Sequence, residues 1–397
     1  MYYNGTPDSD HSARDRKEKK FRGILLYDLS AAYDVLPPDI FLEKAKVIGV
    51  RDKALAWLTS YLMNRSQVVQ INLEISSPRT LTTGTPQGGS CSCLIFALFV
   101  GDAQLWLKDG LITSYADDTM VLVEANTLDE LRVRLRDEGE KLLRFFASNR
   151  LVANPSKTGL LVFRPRAPNQ SEADTSIELV GETISESAEQ KILGVIIGND
   201  LKWTGHFDKV KHECHYRLST LHRLRYYLNG RQLKTIADGI IISRLRYCLP
   251  VWGAEIVRFS DSDPLSSGSH DLQVILNDTM RIITGNRRRD HVKISDMLTS
   301  TGMLSVNQMA AYSILMDTWK ARAFKVPYLS DLLRETQPRG DRVLRSDSAN
   351  LLQASVAEPF TTCAQRLWNS SSVVFRMTNL LSVAKAEARK TAMLLPI

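Results

Sequence analysis

Two stretches of this sequence put acidic residues where apolar strands run out. Gly23 to Asp28 reads as a β-strand ending in Ile-Leu-Leu-Tyr-Asp. Tyr115-Ala116-Asp117-Asp118 joins two further apolar runs, Leu111 to Tyr115 and Thr119 to Glu124, through a tight turn. Gly159 to Phe163 and Gln67 to Glu74 read as strands as well. Helical patterns fill Ile40 to Met63, Ser92 to Lys108 and Thr127 to Arg150, the last with Leu131, Leu135, Leu142 and Phe146 at helical spacing. With Ile40 to Glu74 set aside as an insertion, the order is β-α-β-β-α-β, the split βαβ order of an α+β fold. In such a sheet neighbouring strands bring Asp28 beside the Asp117-Asp118 turn.

Composition narrows the class. With 44% hydrophobic and 24% charged residues, the 397-residue chain has the make-up of an ordinary folded protein, which excludes a wholly disordered scaffold. Its longest apolar run, Cys93 to Val100, is far short of the roughly 20 residues of a membrane span, so no membrane partner is expected. The polar start lacks a secretory signal's apolar stretch, and five cysteines make no disulfide framework, which points to an intracellular, reducing compartment.

Residues 1–22 read as a flexible lead-in, 23–200 as the α+β region and 201–258 as a helical basic segment. Residues 259–270 (FSDSDPLSSGSH) read as a linker, and 271–397 as a helical region without a catalytic motif, opening with a helix from Leu272 to Ile283. Between residues 202 and 250, ten Lys and Arg stand against three Asp and Glu, an excess equal to the +7 of the whole chain. Trp203, Phe207, Tyr216, Tyr226, Tyr227 and Tyr247 are interleaved among them, a composition suited to phosphates and stacked bases. A helical core with a solvated basic face reads the same residues without a ligand. His206, His212, Cys214, His215 and His222 crowd together but lack the paired spacing of a zinc site. Cys91 and Cys93 read as buried thiols, and Arg287 to Arg289 as either an RNA contact or a solvated run.

Asp117 and Asp118 alone fit a hairpin turn, where Asp bonds its own backbone. Three carboxylates brought together with Asp28 would repel unless cations neutralise them. Hard oxygen ligands favour Mg²⁺, which binds carboxylates together with substrate phosphates. Two such ions suit an in-line displacement at phosphorus, so phosphoryl or nucleotidyl transfer fits these residues.

The chain resembles a reverse transcriptase of the non-LTR retrotransposon type, Jockey-like. Asp28-Leu29-Ser30-Ala31-Ala32-Tyr33-Asp34 is similar to the family's first catalytic motif. That resemblance implies a metal-ligand role for Asp28, a contribution from the Leu29 carbonyl, and a Tyr33 that packs under the incoming sugar and excludes a 2′-hydroxyl. Gly84-Thr85-Pro86-Gln87-Gly88 is similar to the second motif, which implies that Pro86, Gln87 and Gly88 open a helix under nucleotide and template. Tyr115-Ala116-Asp117-Asp118 is similar to the family's acidic turn, which implies that Asp117 and Asp118 join Asp28 in holding the metal ions, Asp117 as the more direct ligand. Asn154-Pro155-Ser156-Lys157-Thr158 implies a Lys157 that assists the leaving pyrophosphate, and Leu193-Gly194 resembles the primer-grip hairpin.

The resemblance implies a right-hand polymerase palm, a split βαβ antiparallel sheet with helices on one face, followed by a helical thumb and a helical C-terminal region. It implies RNA-directed DNA synthesis with two Mg²⁺ ions, Mn²⁺ substituting, and with an RNA template, a DNA primer and dNTP as partners. A place in nucleus and cytoplasm as a retrotransposon ribonucleoprotein is expected. Only 22 residues precede Gly23, where the family carries a fingers region, so an N-terminally truncated enzyme is expected. The rival reading is a non-catalytic remnant that still binds nucleic acid. An RNA-directed RNA polymerase is disfavoured by the bulk of Tyr33 and by Ala116.

Overall fold

The computed structural model describes residues 20–154, 157–165, 175–326, 329–335, 351–354 and 359–397. Most of the expected lead-in therefore lies outside the described residues, as do Pro155 and Ser156 of the Asn154 to Thr158 stretch. The chain divides near residue 202 into two units.

In the first unit, alternation decides the layers. Strand β1 (Phe21–Asp28) buries Phe21, Leu25 and Tyr27 on one face and carries Leu26 and Asp28 on the other. A short helix α1 (Ala32–Val35) leads to α2 (Pro38–Val47) and α3 (Asp52–Leu62). The single helix expected over Ile40 to Met63 is thus two, because Gly49 takes a positive φ of 97° and ends the first. The strand expected over Gln67 to Glu74 is likewise broken, into β2 (Arg65–Gln67), β3 (Gln70–Ile71), β4 (Glu74–Ile75) and β5 (Arg79–Leu81). Asn72, with φ of 54°, turns the chain back on itself so that β3 pairs with β4 and β2 with β5.

Helix α4 (Ser92–Val100) is followed by β6 (Gly110–Tyr115), β7 (Asp118–Ala125), α5 (Leu128–Ser148) and β8 (Gly159–Phe163). The four long strands form one antiparallel sheet in the order β6-β7-β1-β8. Helix α5 starts where the Thr127 hydroxyl accepts the Glu130 amide at 3.2 Å and the Glu130 carboxylate accepts the Asn126 amide at 3.0 Å. Its Leu131, Leu135, Leu142, Phe145 and Phe146 pack with Leu25, Val121, Val123, Leu160 and Val162 of the sheet and Phe96 and Phe99 of α4 in one core. Each such side chain contributes about 1.5–3 kcal/mol of burial. Hairpins β9 (Ser176–Leu179) with β10 (Glu182–Ser185), and β11 (Glu189–Ile192) with β12 (Val195–Gly198), complete the unit.

The second unit is chiefly helical. Helix α6 (Thr204–Leu224) packs with α7 (Gly230–Ala237), α8 (Ser267–Thr284), α9 (Ile294–Thr301) and the start of α10 (Val306–Ala323) around Leu221, Leu233, Leu272, Leu276 and Met280. Helix α10 continues into a second core with α11 (Pro359–Ser370) and α12 (Leu381–Met393) around Ile314, Trp319, Leu367, Trp368 and Ala388. The stretch expected as a linker, 259–270, is folded. Asp263 accepts the amides of Phe259 and Ser260, and the Ser266 hydroxyl accepts the Ser269 amide to start α8. Ser and Asp mark flexible linkers by composition, but they are also the residues that close turns and cap helices. No described helix is long and apolar enough to cross a membrane.

Candidate active site

Register builds the site. Asp28, the last residue of β1, stands directly opposite Asp118, the first of β7, and period-two alternation keeps both on the face away from the core. Tyr115 pairs with Asp118 across β6 and β7, leaving Ala116 and Asp117 as a two-residue turn in which Ala116 takes φ of 56°. Asp117 is therefore delivered by a left-handed alanine, a conformation disfavoured by about 1–2 kcal/mol for a residue with a side chain.

Lys157 donates from Nζ to Oδ2 of Asp28 at 2.9 Å. The Asn154 amide bonds the Asp28 carbonyl at 3.0 Å and the Lys157 amide bonds the Asn154 carbonyl at 3.1 Å, which sets Lys157 beside the strand end. Leu29 is buried and bridged to Ala153, by bonds that use Asp28 and Ser30 and leave the Leu29 carbonyl out. Burial comes first in raising the Asp118 carboxyl above its ordinary range; the charges of Asp117 and Asp28 push the same way and Lys191 opposes them.

A pocket of about 230 Å³ is lined by Leu26, Asp28, Asp118, Lys157, Lys191 and Leu193, among others. The hairpin of β11 and β12 thus reaches the acids with its tip, where Leu193 (φ 47°) and Gly194 (φ 85°) form a two-residue turn of the kind that follows strand twist. Lys191, on that hairpin, carries no motif in the sequence; it reaches the pocket because consecutive residues Gln190 to Leu193 at the hairpin tip all line it.

Tyr33 lies against Phe96, with ring centroids 4.9 Å apart. Burial first, then a hydrogen bond with the Cys93 thiol and the nearby Cys93, Asp117 and Tyr115, push its phenol up to about 12. Neither Cys91 nor Cys93 is buried as expected: Cys93 is exposed and Cys91 half-buried, because they lie at the start of α4, where Cys93 meets Tyr33. The second motif is tied to the first by backbone. Thr85 donates to the Tyr33 carbonyl at 2.8 Å and Gly84 to that of Leu36 at 2.7 Å, and the Gln87 side chain adds a bond from Nε2 to Oδ1 of Asp34 at 2.6 Å. A Cβ on Gly84, whose φ is 82°, would stand 2.7 Å from the Asp34 carbonyl oxygen. Pro86, Gln87 and Gly88 precede the helix rather than open it. Bonds from Gly89 to Pro86 and from Ser92 to Gly89 form intervening turns, so α4 begins only at Ser92. Arg65, absent from every motif, donates to the carbonyls of Leu62, Thr83 and Gly84 and fastens this loop to the base of β2.

Opposed carboxylates at strand ends supply the hard oxygen donors that divalent cations take. Among the described residues, however, no three His, Cys, Asp or Glu side chains close into a metal-ligand set. The Asp28 carboxylate is held by the Lys157 ammonium instead. The donor chemistry fits; the expected convergence is one of strand positions rather than of a closed cage. The crowded histidines of the second unit do not form a cluster either: His206 is buried between the rings of Trp203 and Trp252.

Sheet, acidic turn, glycine-bearing loop and hairpin tip together fit the fold of a polymerase palm. Residues 4–197 match the family described as reverse transcriptase (RNA-dependent DNA polymerase). Over that region the chain is similar to the reverse transcriptases, and its similarity extends to polymerases of mobile elements. It is 25% identical over 283 residues to the probable RNA-directed DNA polymerase from transposon BS of Drosophila melanogaster, an alignment covering 67% of this chain and 29% of that protein. It is 24% identical over 265 residues to the RNA-directed DNA polymerase from mobile element jockey of Drosophila funebris, covering 63% and 28%. The chain thus spans less than a third of the length of these relatives. Among solved structures, apo telomerase from Candida tropicalis aligns with a TM-score of 0.37 and 13% identity, over 80% of this chain and 52% of that one.

Proposed function

We propose that this chain carries out RNA-directed DNA synthesis, transferring a deoxynucleotide from dNTP to a primer 3′-hydroxyl along an RNA template. The observation that carries the reading is the opposition of Asp28 and Asp118 with Asp117 in the adjoining turn. Asp28, Asp117 and Asp118 would hold two Mg²⁺ ions, or Mn²⁺, which when bound supply charge neutralisation and activation of the attacking hydroxyl. Lys157, already within reach of Asp28, would place a positive charge beside the triphosphate. Tyr33 would set the floor under the sugar, with the Leu29 carbonyl nearby. Pro86, Gln87 and Gly88 would shape the loop under nucleotide and template, and Leu193 and Gly194 would position the primer end. The second unit would serve as thumb and C-terminal region, and the protein would work in nucleus and cytoplasm with its RNA. Primer extension on an RNA template with the purified chain tests this: Asp117→Asn should abolish extension while the thermal midpoint holds.

A second reading is favoured by the Lys157 to Asp28 ion pair and the absence of a closed carboxylate set among the described residues. In it the chain is a remnant that binds nucleic acid without polymerising. RNA binding without extension at any Mg²⁺ or Mn²⁺ concentration would establish that reading in place of the first.

A further inference from the structure

The second unit contains a cleft of about 710 Å³ between the end of α6 and the end of α8. One wall carries His215 and His222 from one face of α6, and Arg225 and Tyr226 just past its end at Leu224. The other wall carries Asp278, Arg281, Arg287 and Arg288.

Charge in this cleft is unevenly committed. Arg281 and Arg288 both bond Asp278, at 2.9 and 2.7 Å, so that one carboxylate holds two guanidinium groups in place. Arg225 and Arg287 are exposed and pair with no acidic side chain among the described residues. Asp278 is the sole acid on the cleft wall among the described residues, so an anion entering it meets four arginines against one carboxylate. The Arg225 guanidinium lies 4.7 Å over the Tyr226 ring, and Tyr226 and Tyr227 are 72% and 83% exposed. Arg225 also donates to the Tyr226 hydroxyl at 2.7 Å, so ring and cation form one exposed unit, and exposed aromatic rings beside guanidinium groups that hold no carboxylate offer unpaired bases a stacking surface that a closed duplex does not use.

We propose that this cleft is an accessory binding site for single-stranded RNA, with backbone phosphates on Arg225 and Arg287 and a base on Tyr226. It extends the nucleic-acid surface beyond the basic segment into residues of α8 and the loop after it. The site rests on the polymerase reading only for the identity of the RNA; its binding is measured without catalysis.

The test is salt-dependent binding of a labelled single-stranded RNA oligonucleotide to the full chain. The double substitution Arg225→Gln with Arg287→Gln leaves the Asp278 cluster intact. It should lower the slope of log K against log[salt] by about 1.4, roughly 0.7 for each lost phosphate contact, with affinity falling on the order of tenfold. RNA carrying 4-thiouridine should crosslink to Tyr226 or Tyr227. An unchanged slope and affinity, crosslinks confined to residues 20–202, or tighter binding of an acidic peptide than of RNA would overturn the proposal. The Asp117→Asn chain should keep the full slope. If extension fails in the unsubstituted chain while the slope responds to the arginines, the polymerase reading falls and the cleft stands.

Discussion

Asp28 and Asp118 occupy opposed positions of the β1/β7 ladder, on the face turned away from the core. Like charges placed this way oppose folding by a few tenths to about 1 kcal/mol. Asp118→Asn is therefore expected to stabilise the chain by that amount while ending primer extension. Urea unfolding beside an extension assay checks it, and a loss of stability would show that the two carboxylates do not repel.

Tyr33 rests on Phe96 at one side of the acidic turn. Tyr33→Ala should open the space beneath the sugar and reduce discrimination against ribonucleotides by about tenfold or more, some 1.4 kcal/mol. The ratio of kcat/KM for dNTP and rNTP reads this directly; an unaltered ratio excludes the tyrosine as a sugar gate.

Tyr27 precedes Asp28 but points into the core, where its ring meets Phe146 at 6.0 Å and its hydroxyl has no hydrogen-bond partner among the described residues. Burial pushes the phenol pKa upward. A desolvated, unpaired hydroxyl costs about 1–3 kcal/mol, so Tyr27→Phe should raise the thermal midpoint by roughly 2–4 °C per kcal/mol and leave extension unchanged. Calorimetry that finds a lower midpoint would mean the hydroxyl is satisfied.

His206 is 2% exposed, and burial, followed by the charge of Lys209, holds its imidazole down to about 4 against the opposing Glu213. The unfolded chain, titrating near 6.5, binds a proton that the folded chain refuses between those values. Stability is complete above pH 6.5 and is lost as pH falls toward 4, by up to about 3 kcal/mol. His206→Gln should flatten the pH dependence of the urea midpoint across this window, and an equal slope in both chains would assign it to other groups.

Much of this was legible in the primary structure. β8 was bounded as Gly159–Phe163, and Leu131, Leu135, Leu142 and Phe146 line the core, because alternation and helical spacing are local and strong. Gly49 and Asn72 broke elements that looked continuous, since a positive φ is permitted by residue type but chosen by packing. Arg65 went unseen because its three acceptors are backbone carbonyls, which carry no trace in side-chain identity.

The amino-acid order alone determined which carboxylates end strands, which glycine precedes the Pro-Gln turn, and which family these residues resemble. Only the folded chain decided that Asp28 lies across from Asp118, that Lys157 holds Asp28, and that the Leu193 tip closes the same pocket. Strand register and inter-strand pairing are set by contacts between residues some 90 to 130 positions apart, and no local pattern encodes which partner a strand end will meet.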